Sequence, residues 1–291
     1  METRWLYTTS EGFPALREAA KETCVIPMGC VEKHGLHLPL GTDIITVSRR
    51  AYMSSQLETV CVFPDFTFGD IPTAAPNRPE GTIMMPVDLE MMMLEHFCEQ
   101  IARNGFKKII IYNGHGGNKA WLSTFLRRVD NKPHDYVLVL LNTKAQAPHG
   151  MAKKLIEEGS GCIPELTKED EELILKYHEM NMKLGHACFS ETARMMGIAP
   201  ECVHLDRLGI EDGHSRNVTQ KFTDAGLELK SGGWGYNYPN WFDGDDPYGC
   251  NERIGKATLR LEAEWAANAY KVIKEDEDLI RWHNEAWNSN L

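Results

Sequence analysis

The chain has 291 residues, 42% of them hydrophobic and 25% charged, an ordinary composition for a globular protein that can bury a core. Its formal net charge of -11 works against binding a polyanion, so we expect neither nucleic acid nor a membrane surface as a partner. Eight cysteines without a Cys-x-x-Cys pair exclude a zinc ribbon and a compact disulfide framework.

The sequence shows neither a membrane segment nor a secretion signal. No apolar run is long enough to span a bilayer, and the N-terminal residues lack the apolar core of a signal peptide. We therefore expect a cytoplasmic protein with free thiols, built as a single domain over residues 1–291.

The first half of the chain alternates strand-like and helix-like segments. Short apolar runs predict strands at 24–29, 60–63, 107–112 and 136–141. Helical patterns cover 43–57, a stretch from Asp88 as N-cap to 104–105, and the residues after 118. Because this alternation implies right-handed crossovers, we predict an α/β fold of three layers, with a mostly parallel sheet and helices on both faces.

The second half is less regular. Its patterns predict an acidic helix at 167–184, a short helix at 190–196 and a long C-terminal helix at 255–279. Between the last two, residues 231–251 are rich in Gly, Asp, Asn and aromatic residues, which indicates an irregular loop.

Three potential metal ligands follow the first strand. Glu32 and His34 project to the same side of an extended segment, and the Gly and Pro residues after them allow the loop to bring Asp43 alongside. Carboxylate and imidazole groups suit Zn, Mn or Fe. Each residue alone would more often cap a helix or hydrogen-bond within the loop, but the three together at a strand end favour a metal site.

A second polar loop at 113–118 reads Asn-Gly-His-Gly-Gly-Asn and places His115 directly after a buried strand. Ligands bind beyond the carboxyl ends of parallel strands, so His115 can converge with the first loop. The plainer alternative is a tight turn with an incidental His. A nucleotide-binding loop is improbable, because the G-x-G-x-x-G spacing and a P-loop Lys-Ser/Thr pair are missing.

The third segment, at 185–193, contains His186 and Glu191. Glu191 lies near the start of the predicted helix, where a carboxylate is also a routine capping partner. No Gly-x-Ser-x-Gly elbow is present, and no cysteine has an evident His partner by motif, so covalent nucleophilic catalysis lacks support.

Together these segments resemble the creatininase (creatinine amidohydrolase) family. The family motifs are E-x-H-G-x-H-L-P-x-x-x-D, an N-G-H turn and a late H-x-x-x-x-E-T element, present here in that order at 32–43, 113–118 and 186–192. The first motif is specific, whereas the turn alone would be weak. The resemblance extends to 81–82 and 255–257, and so covers most of the chain.

The resemblance implies a metal-dependent hydrolase with one or two divalent ions per subunit, Zn or Mn, with Fe also compatible. It assigns Glu32 and His115 to one metal, His34 to a second, and Asp43 to a bridge between them. A divalent ion lowers the pKa of bound water and polarises a carbonyl group, which prepares water to attack a small substrate.

One family ligand is missing from this sequence. The family carries a Glu two positions after the turn His, and that position is Gly117 here. We expect Glu191 to replace it as a metal ligand with a catalytic part. His186 matches a family position implicated in proton transfer and is the other expected catalytic residue.

The family includes enzymes that open cyclic amides, cleave formamides or open keto-inositol rings by carbon-carbon cleavage. Residues 233–246 combine aromatic rings with hydrogen-bond acceptors, a mixture suited to a polyhydroxylated ring, although a surface loop or subunit contact is about equally compatible. We therefore expect a small-molecule substrate, a keto-cyclitol or sugar-like ring, with a cyclic amide or formamide as the alternative.

A rival from another class is a non-catalytic protein with a closed metal shell. The family resemblance also implies a homo-oligomer, such as a hexamer.

Overall fold

A computed structural model of the protein describes residues 1–71, 78–229 and 232–288, with side chains described to residue 286. Its four strands form one parallel sheet in the order β2-β1-β3-β4. The strands are β1 (Thr23–Met28), β2 (Cys61–Val62), β3 (Lys108–Asn113) and β4 (Val137–Asn142).

The α-helices of the described ranges alternate with the strands in the first half and dominate the second half. They are α1 (Phe13–Ala19), α2 (Thr42–Leu57), α3 (Val87–Arg103), α4 (Asn118–Val129), α5 (His149–Glu158), α6 (Lys168–Glu179), α7 (Phe189–Ile198), α8 (Gln220–Asp224), α9 (Gly233–Asn237), α10 (Glu252–Glu275) and α11 (Leu279–Asn288). None of the helices in these ranges has the length and apolar character needed to cross a membrane.

The central strands are buried on both faces, which explains their continuous apolar runs. On one face, Ile26 and Ile109 belong to a core that includes residues of α1, α3 and α4. On the other face, Val25 and Ile110 pack with residues of α2 and α10. The prediction of a three-layer α/β fold with a parallel sheet is confirmed.

The helical second half packs on the sheet through α10, and α7 crosses α10 at very close range. A Cβ atom added to Gly255 of α10 would lie 2.3 Å from the backbone nitrogen of Gly197 in α7. Only glycines allow the two backbones to approach so closely. The family resemblance at 255–257 therefore lies at the crossing of α7 and α10.

A buried network of ion pairs joins the helices α2, α7 and α10. Glu262 of α10 accepts hydrogen bonds from Arg50 of α2 at 3.1 Å and from Arg194 of α7 at 2.9 and 3.0 Å. The exposed fractions of Arg50 and Glu262 are both 0%. Such a network is destabilised strongly when one partner is removed, because the others stay buried and uncompensated.

Several predicted helix boundaries were wrong, and local caps explain the differences. The helix predicted with Asp88 as N-cap begins at Val87 after Pro86, so Asp88 lies in its first turn. The helix predicted to reach residue 184 ends at Glu179, just before Asn181 adopts a left-handed φ of 50°.

The long C-terminal helix also differs from its prediction. It begins at Glu252 because the Asn251 side chain accepts hydrogen bonds from the first turn. It ends at Glu275, and Asp276 then accepts a hydrogen bond from Leu279 at 2.8 Å and starts a separate helix. The loop predicted at 231–251 contains the short helix α9, while its first residue, 231, lies outside the described residues.

We predict that Glu262→Ala lowers the free energy of unfolding by about 3–5 kcal/mol, because two buried guanidinium groups lose their carboxylate. Urea denaturation followed by circular dichroism measures the change. Glu264→Ala is the matched control on the same helix, since its exposed side chain pairs with Arg260 at the surface. Its effect should stay below about 1 kcal/mol. Equal losses from the two variants would contradict the assigned role of Glu262.

Candidate metal centre

The candidate ligands lie at the carboxyl edge of the sheet because β1 and β3 are neighbours. Met28 and Asn113 are register partners at the ends of these strands, so the loop after β1 meets the turn that carries His115. Asp43 reaches the same place from the first turn of α2. Glu191 arrives from the first turn of α7.

The first part of the centre is formed by His115, Glu32 and Asp43. His115 Nδ1 lies 2.9 Å from Asp43 Oδ2 and 3.1 Å from Glu32 Oε1. The other ring nitrogen, Nε2, donates a hydrogen bond to the backbone carbonyl of Asp70 at 2.8 Å. That bond fixes the ring and turns Nδ1 toward the two carboxylates, as is usual for a metal-binding imidazole.

The second part is formed by His34, Asp43 and Glu191. His34 Nδ1 donates to the carbonyl of Glu32 at 3.1 Å, which leaves Nε2 facing the carboxylates. His34 Nε2 lies 3.5 Å from Asp43 Oδ1 and 3.8 Å from Glu191 Oε2. Asp43 therefore presents one oxygen to each imidazole, the arrangement that a bridging carboxylate requires.

The donor set fits divalent cations. His34 is completely buried, yet its Nε2 has no hydrogen-bond partner among the described residues. A buried polar atom of this kind is costly unless a ligand satisfies it. Groups of three or four ligand-type side chains with mutual distances within 4.8 Å include Glu32, His34, Asp43, His115 and Glu191. The structure thus contains a buried group of potential metal ligands.

Without a cation, the centre would balance its charge with protons. Burial opposes protonation of His34, but the carboxylates of Asp43, Glu191 and Glu32 raise its pKa to about 10. Burial likewise opposes protonation of His115, whose pKa is nevertheless raised well above its usual range by Glu32. Cations and protons therefore compete for the same buried nitrogen atoms.

Glu191 both caps its segment and faces the centre. Its Oε2 accepts a hydrogen bond from the backbone N–H of Ala187 at 2.6 Å, and the same oxygen is the one near His34. Capping its own helix and facing the candidate metal centre are therefore compatible in one conformation of Glu191. Its role as the replacement for the missing family ligand stays a prediction.

His186 lies beside the ligand group and is oriented by the backbone. Its Nε2 donates to the carbonyl of Lys33 at 2.7 Å, so Nδ1 faces inward, 3.8 Å from Glu32 Oε1. The ring stacks on His34 with centroids 4.0 Å apart. This position leaves one ring nitrogen of His186 facing the centre.

A cavity of about 410 Å³ opens over the ligand group. Small-molecule sites usually have volumes of roughly 300–1,000 Å³. Its walls come from the ligand loops and from later segments of the chain. The lining residues are Glu32, Asp43, His115, Gly116, Gly117, Lys119, Gly185, His186, Glu191, Trp234 and Asp243.

His37 lies in the first motif, but its role could not be assigned from the sequence. Burial lowers the pKa of His37 to about 4, so the ring is neutral, and its Nε2 pairs with Thr192 Oγ1 at 3.1 Å. This contact ties the first loop to α7. His37 and Thr192 both belong to the family motifs, at 32–43 and 186–192, and this was the signal in the sequence that could have indicated their contact.

Lys119 at the cavity rim was also missed, although it directly follows the second loop in sequence.

The fold and the ligand group define an α/β protein with a candidate metal centre of carboxylates and imidazoles at the carboxyl edge of a parallel sheet. The family model for creatininase, described as creatinine amidohydrolase, matches residues 7–270. The chain therefore belongs to the creatininase family, which makes it a hydrolase of the metal-dependent kind. No curated protein matches the chain.

Solved structures of creatininases share the fold. A creatinine amidohydrolase (creatininase) is 16% identical with a TM-score of 0.67, and the match covers 94% of this chain and 98% of that one. A mutant creatininase of Zn-Zn type is 16% identical with a TM-score of 0.69, covering 95% and 100%. A structure named creatininase Mn is 16% identical with a TM-score of 0.68, again covering 95% and 100%.

We predict that Asp43→Asn weakens zinc binding by at least about 100-fold, because loss of a partner outside the ligand shell already costs about 10–100-fold. Metal content after dialysis against a zinc buffer, measured by plasma mass spectrometry, tests this. Asp88→Asn is the matched control, since Asp88 is an exposed acid in the first turn of α3. Unchanged zinc content in Asp43→Asn would show that Asp43 does not bridge.

We also predict that Glu191→Gln lowers bound zinc from two ions to one per subunit. The amide oxygen still accepts the hydrogen bond from Ala187, so the variant removes mainly the negative charge beside His34. Titration of the metal-free protein with zinc counts the sites, and Glu201→Gln, an exposed acid after α7, serves as the control. Two sites of unchanged affinity in Glu191→Gln would show that Glu191 is not the third metal ligand beside His34 and Asp43.

Proposed function

We propose that this protein is a metal-dependent hydrolase that opens a small polar ring, a keto-cyclitol or related sugar-like ketone, by cleaving a carbon-carbon bond. The observation that carries the proposal is the cavity over the ligand group, because it is walled by an aromatic ring and a carboxylate of one late loop. An enzyme needs such an open approach to its metal, whereas a structural site is closed.

The late loop contributes two side chains to the cavity. Trp234 lines it and stands edge-on to His186, with ring centroids 5.2 Å apart. The indole N–H of Trp234 donates to Asp243 Oδ2 at 3.3 Å, and Lys183 pairs with the other oxygen of Asp243 at 2.5 Å. Both wall groups are thus held in place before a substrate enters.

The rest of the loop supports this wall. Trp241 and Phe242 are buried with exposed fractions of 4% and 2%, whereas Tyr236 faces solvent. The loop is therefore pinned by aromatic residues and also shapes the cavity. The two interpretations of its sequence, a loop that binds a polyhydroxylated ring and a surface loop, are compatible with each other.

The wall suits a polyhydroxylated ring. An aromatic surface packs on the apolar face of such a ring, while a carboxylate accepts hydrogen bonds from its hydroxyl groups. Four acidic residues line the cavity, namely Glu32, Asp43, Glu191 and Asp243. Because Lys119 also lines it and Lys183 pairs with Asp243, two divalent cations would more than offset the charge of the carboxylates.

Divalent ions held by this group would polarise a ring carbonyl and make water nucleophilic near neutral pH. In the proposed reaction, the hydroxyl of water adds to one carbonyl carbon of a ring that carries a second carbonyl in the 1,3 position. The bond to the carbon between the two carbonyls breaks, the second carbonyl takes up its electron pair as an enolate, and that carbon then receives the proton. The ring opens to a carboxylic acid. In this proposal, His186 Nδ1 takes the proton from water and delivers it to the leaving carbon.

Hydrolysis of a cyclic amide is the alternative, since it needs the same activated water and delivers the proton to nitrogen. Gly117 provides no side chain at a position where the family carries a Glu, which argues against creatinine itself. Assembly into a homo-oligomer stays a prediction of the family resemblance.

We predict that the zinc- or manganese-loaded protein turns over 3-dehydro-scyllo-inosose with a kcat/KM at least about 10-fold above that for creatinine, because a site with polar groups placed for hydroxyls discriminates against rings that lack them. Carboxylate product is quantified by mass spectrometry across keto-cyclitols, lactones and cyclic amides. The metal-free protein and Asp43→Asn are the inactive controls. Turnover confined to cyclic amides would establish the alternative, and no turnover by a fully loaded protein would favour a non-catalytic role.

A further inference from the structure

The buried thiol of Cys30 joins the ligand group, although no motif assigned it a role. Cys30 Sγ lies 3.1 Å from Asp43 Oδ2 and 3.4 Å from Glu32 Oε1. Its ligand atom is within 4.8 Å of those of Glu32, Asp43 and His115. We propose that Cys30 binds the first metal as a thiolate, alongside Glu32, Asp43 and His115.

The spacing of the four ligand atoms carries this proposal. In a tetrahedral zinc site, bonds of about 2.3 Å to sulfur and about 2.0 Å to oxygen or nitrogen place sulfur and oxygen about 3.5 Å apart, and oxygen and nitrogen about 3.3 Å apart. The observed sulfur-oxygen distances are 3.1 and 3.4 Å. The observed nitrogen-oxygen distances are 2.9 and 3.1 Å. These four of the six distances therefore lie within a few tenths of an ångström of their tetrahedral values, and the ligand atoms of all four residues lie within 4.8 Å of one another.

The backbone holds the thiol in this place. Cys30 follows Gly29, where an added Cβ would lie 2.6 Å from the backbone nitrogen of Ile44 at the start of α2. This close approach presses the loop against the helix turn that carries Asp43. Cys30 has an exposed fraction of 0%, so its sulfur is directed into the protein beside the carboxylates.

The simpler explanation is a neutral thiol that donates its S–H to Asp43. That explanation leaves the first metal with two oxygen ligands and one nitrogen ligand. The proposal instead requires Cys30 to release its proton to solvent as the metal binds, since the thiolate is the ligand form. The two explanations differ in whether a metal-sulfur bond exists, which can be measured directly.

A sulfur ligand would give the two halves of the centre different properties, an inference that rests on the proposed metal-dependent function. Four protein groups would saturate the first position, and a thiolate favours zinc, cobalt or iron over manganese. The second position, with His34, Asp43 and Glu191, would have three protein ligands. The open coordination place for water would then belong to the second metal.

Cobalt substitution tests for the metal-sulfur bond without relying on activity. Metal-free protein is titrated with Co²⁺, and the absorption spectrum is compared for the unaltered chain, Cys30→Ser and Cys202→Ser. Cys202 is exposed, so its variant controls for removal of a thiol elsewhere. We expect the near-ultraviolet charge-transfer band of a cobalt-thiolate bond in the unaltered chain and in Cys202→Ser, and its loss in Cys30→Ser.

Competition between zinc and manganese provides a second readout. Removal of the thiolate should reduce the preference for zinc over manganese at the first metal position by at least about 10-fold, because the remaining oxygen and nitrogen ligands discriminate less. An unchanged preference in folded Cys30→Ser would overturn the proposal.

X-ray absorption at the zinc edge of the unaltered chain covers the case in which Cys30→Ser fails to fold. A sulfur atom at about 2.3 Å from zinc supports the proposal, whereas a shell of only oxygen and nitrogen at about 2.0–2.2 Å overturns it. The failures are distinguishable: bound metal without sulfur refutes the role of Cys30 alone, while a chain that binds no divalent metal refutes the proposed function as well.

Discussion

Glu262 is the buried carboxylate on which the positions of two ligand-bearing helices depend. It binds Arg50, two turns along α2 from Asp43, and Arg194, one turn along α7 from Glu191. The C-terminal helix α10 contributes no ligand, yet it fixes the distance between two of them. The glycine contact between α7 and α10 has the same effect, because it allows the helices to approach closely enough for this network to form.

Backbone carbonyls orient the imidazoles of the candidate metal centre. His34, His115 and His186 each donate one ring N–H to a main-chain oxygen, of Glu32, Asp70 and Lys33 respectively. Each ring therefore presents its other nitrogen inward. Since the carbonyls belong to loops at the sheet edge, the fold itself determines which ring nitrogen of each imidazole faces the ligand group.

The sequence supported prediction of those parts of the protein that depend on side-chain identity. Continuous apolar runs located the strands, and the carboxylates and imidazoles of the motifs converge as expected at one sheet edge. Contacts made by the backbone leave no such trace, so the carbonyl of Asp70 was not foreseen. Cys30 was missed because one thiol without a spaced partner is indistinguishable from a core cysteine. The break after Glu275 depended on a cap by Asp276 that the long apolar pattern obscured.

The late loop and the segment of His186 are bound to each other in a fixed register. His186 and Asp243 exchange two backbone hydrogen bonds, of 2.8 and 2.9 Å, as an isolated antiparallel bridge. An insertion or deletion beside Asp243 would therefore shift His186 as well as the cavity wall. Side chains can be exchanged here on an unchanged backbone, whereas a tolerated change of length would have to lie farther from the bridge. Transplanting this loop between homologues would accordingly require moving both strands of the bridge together.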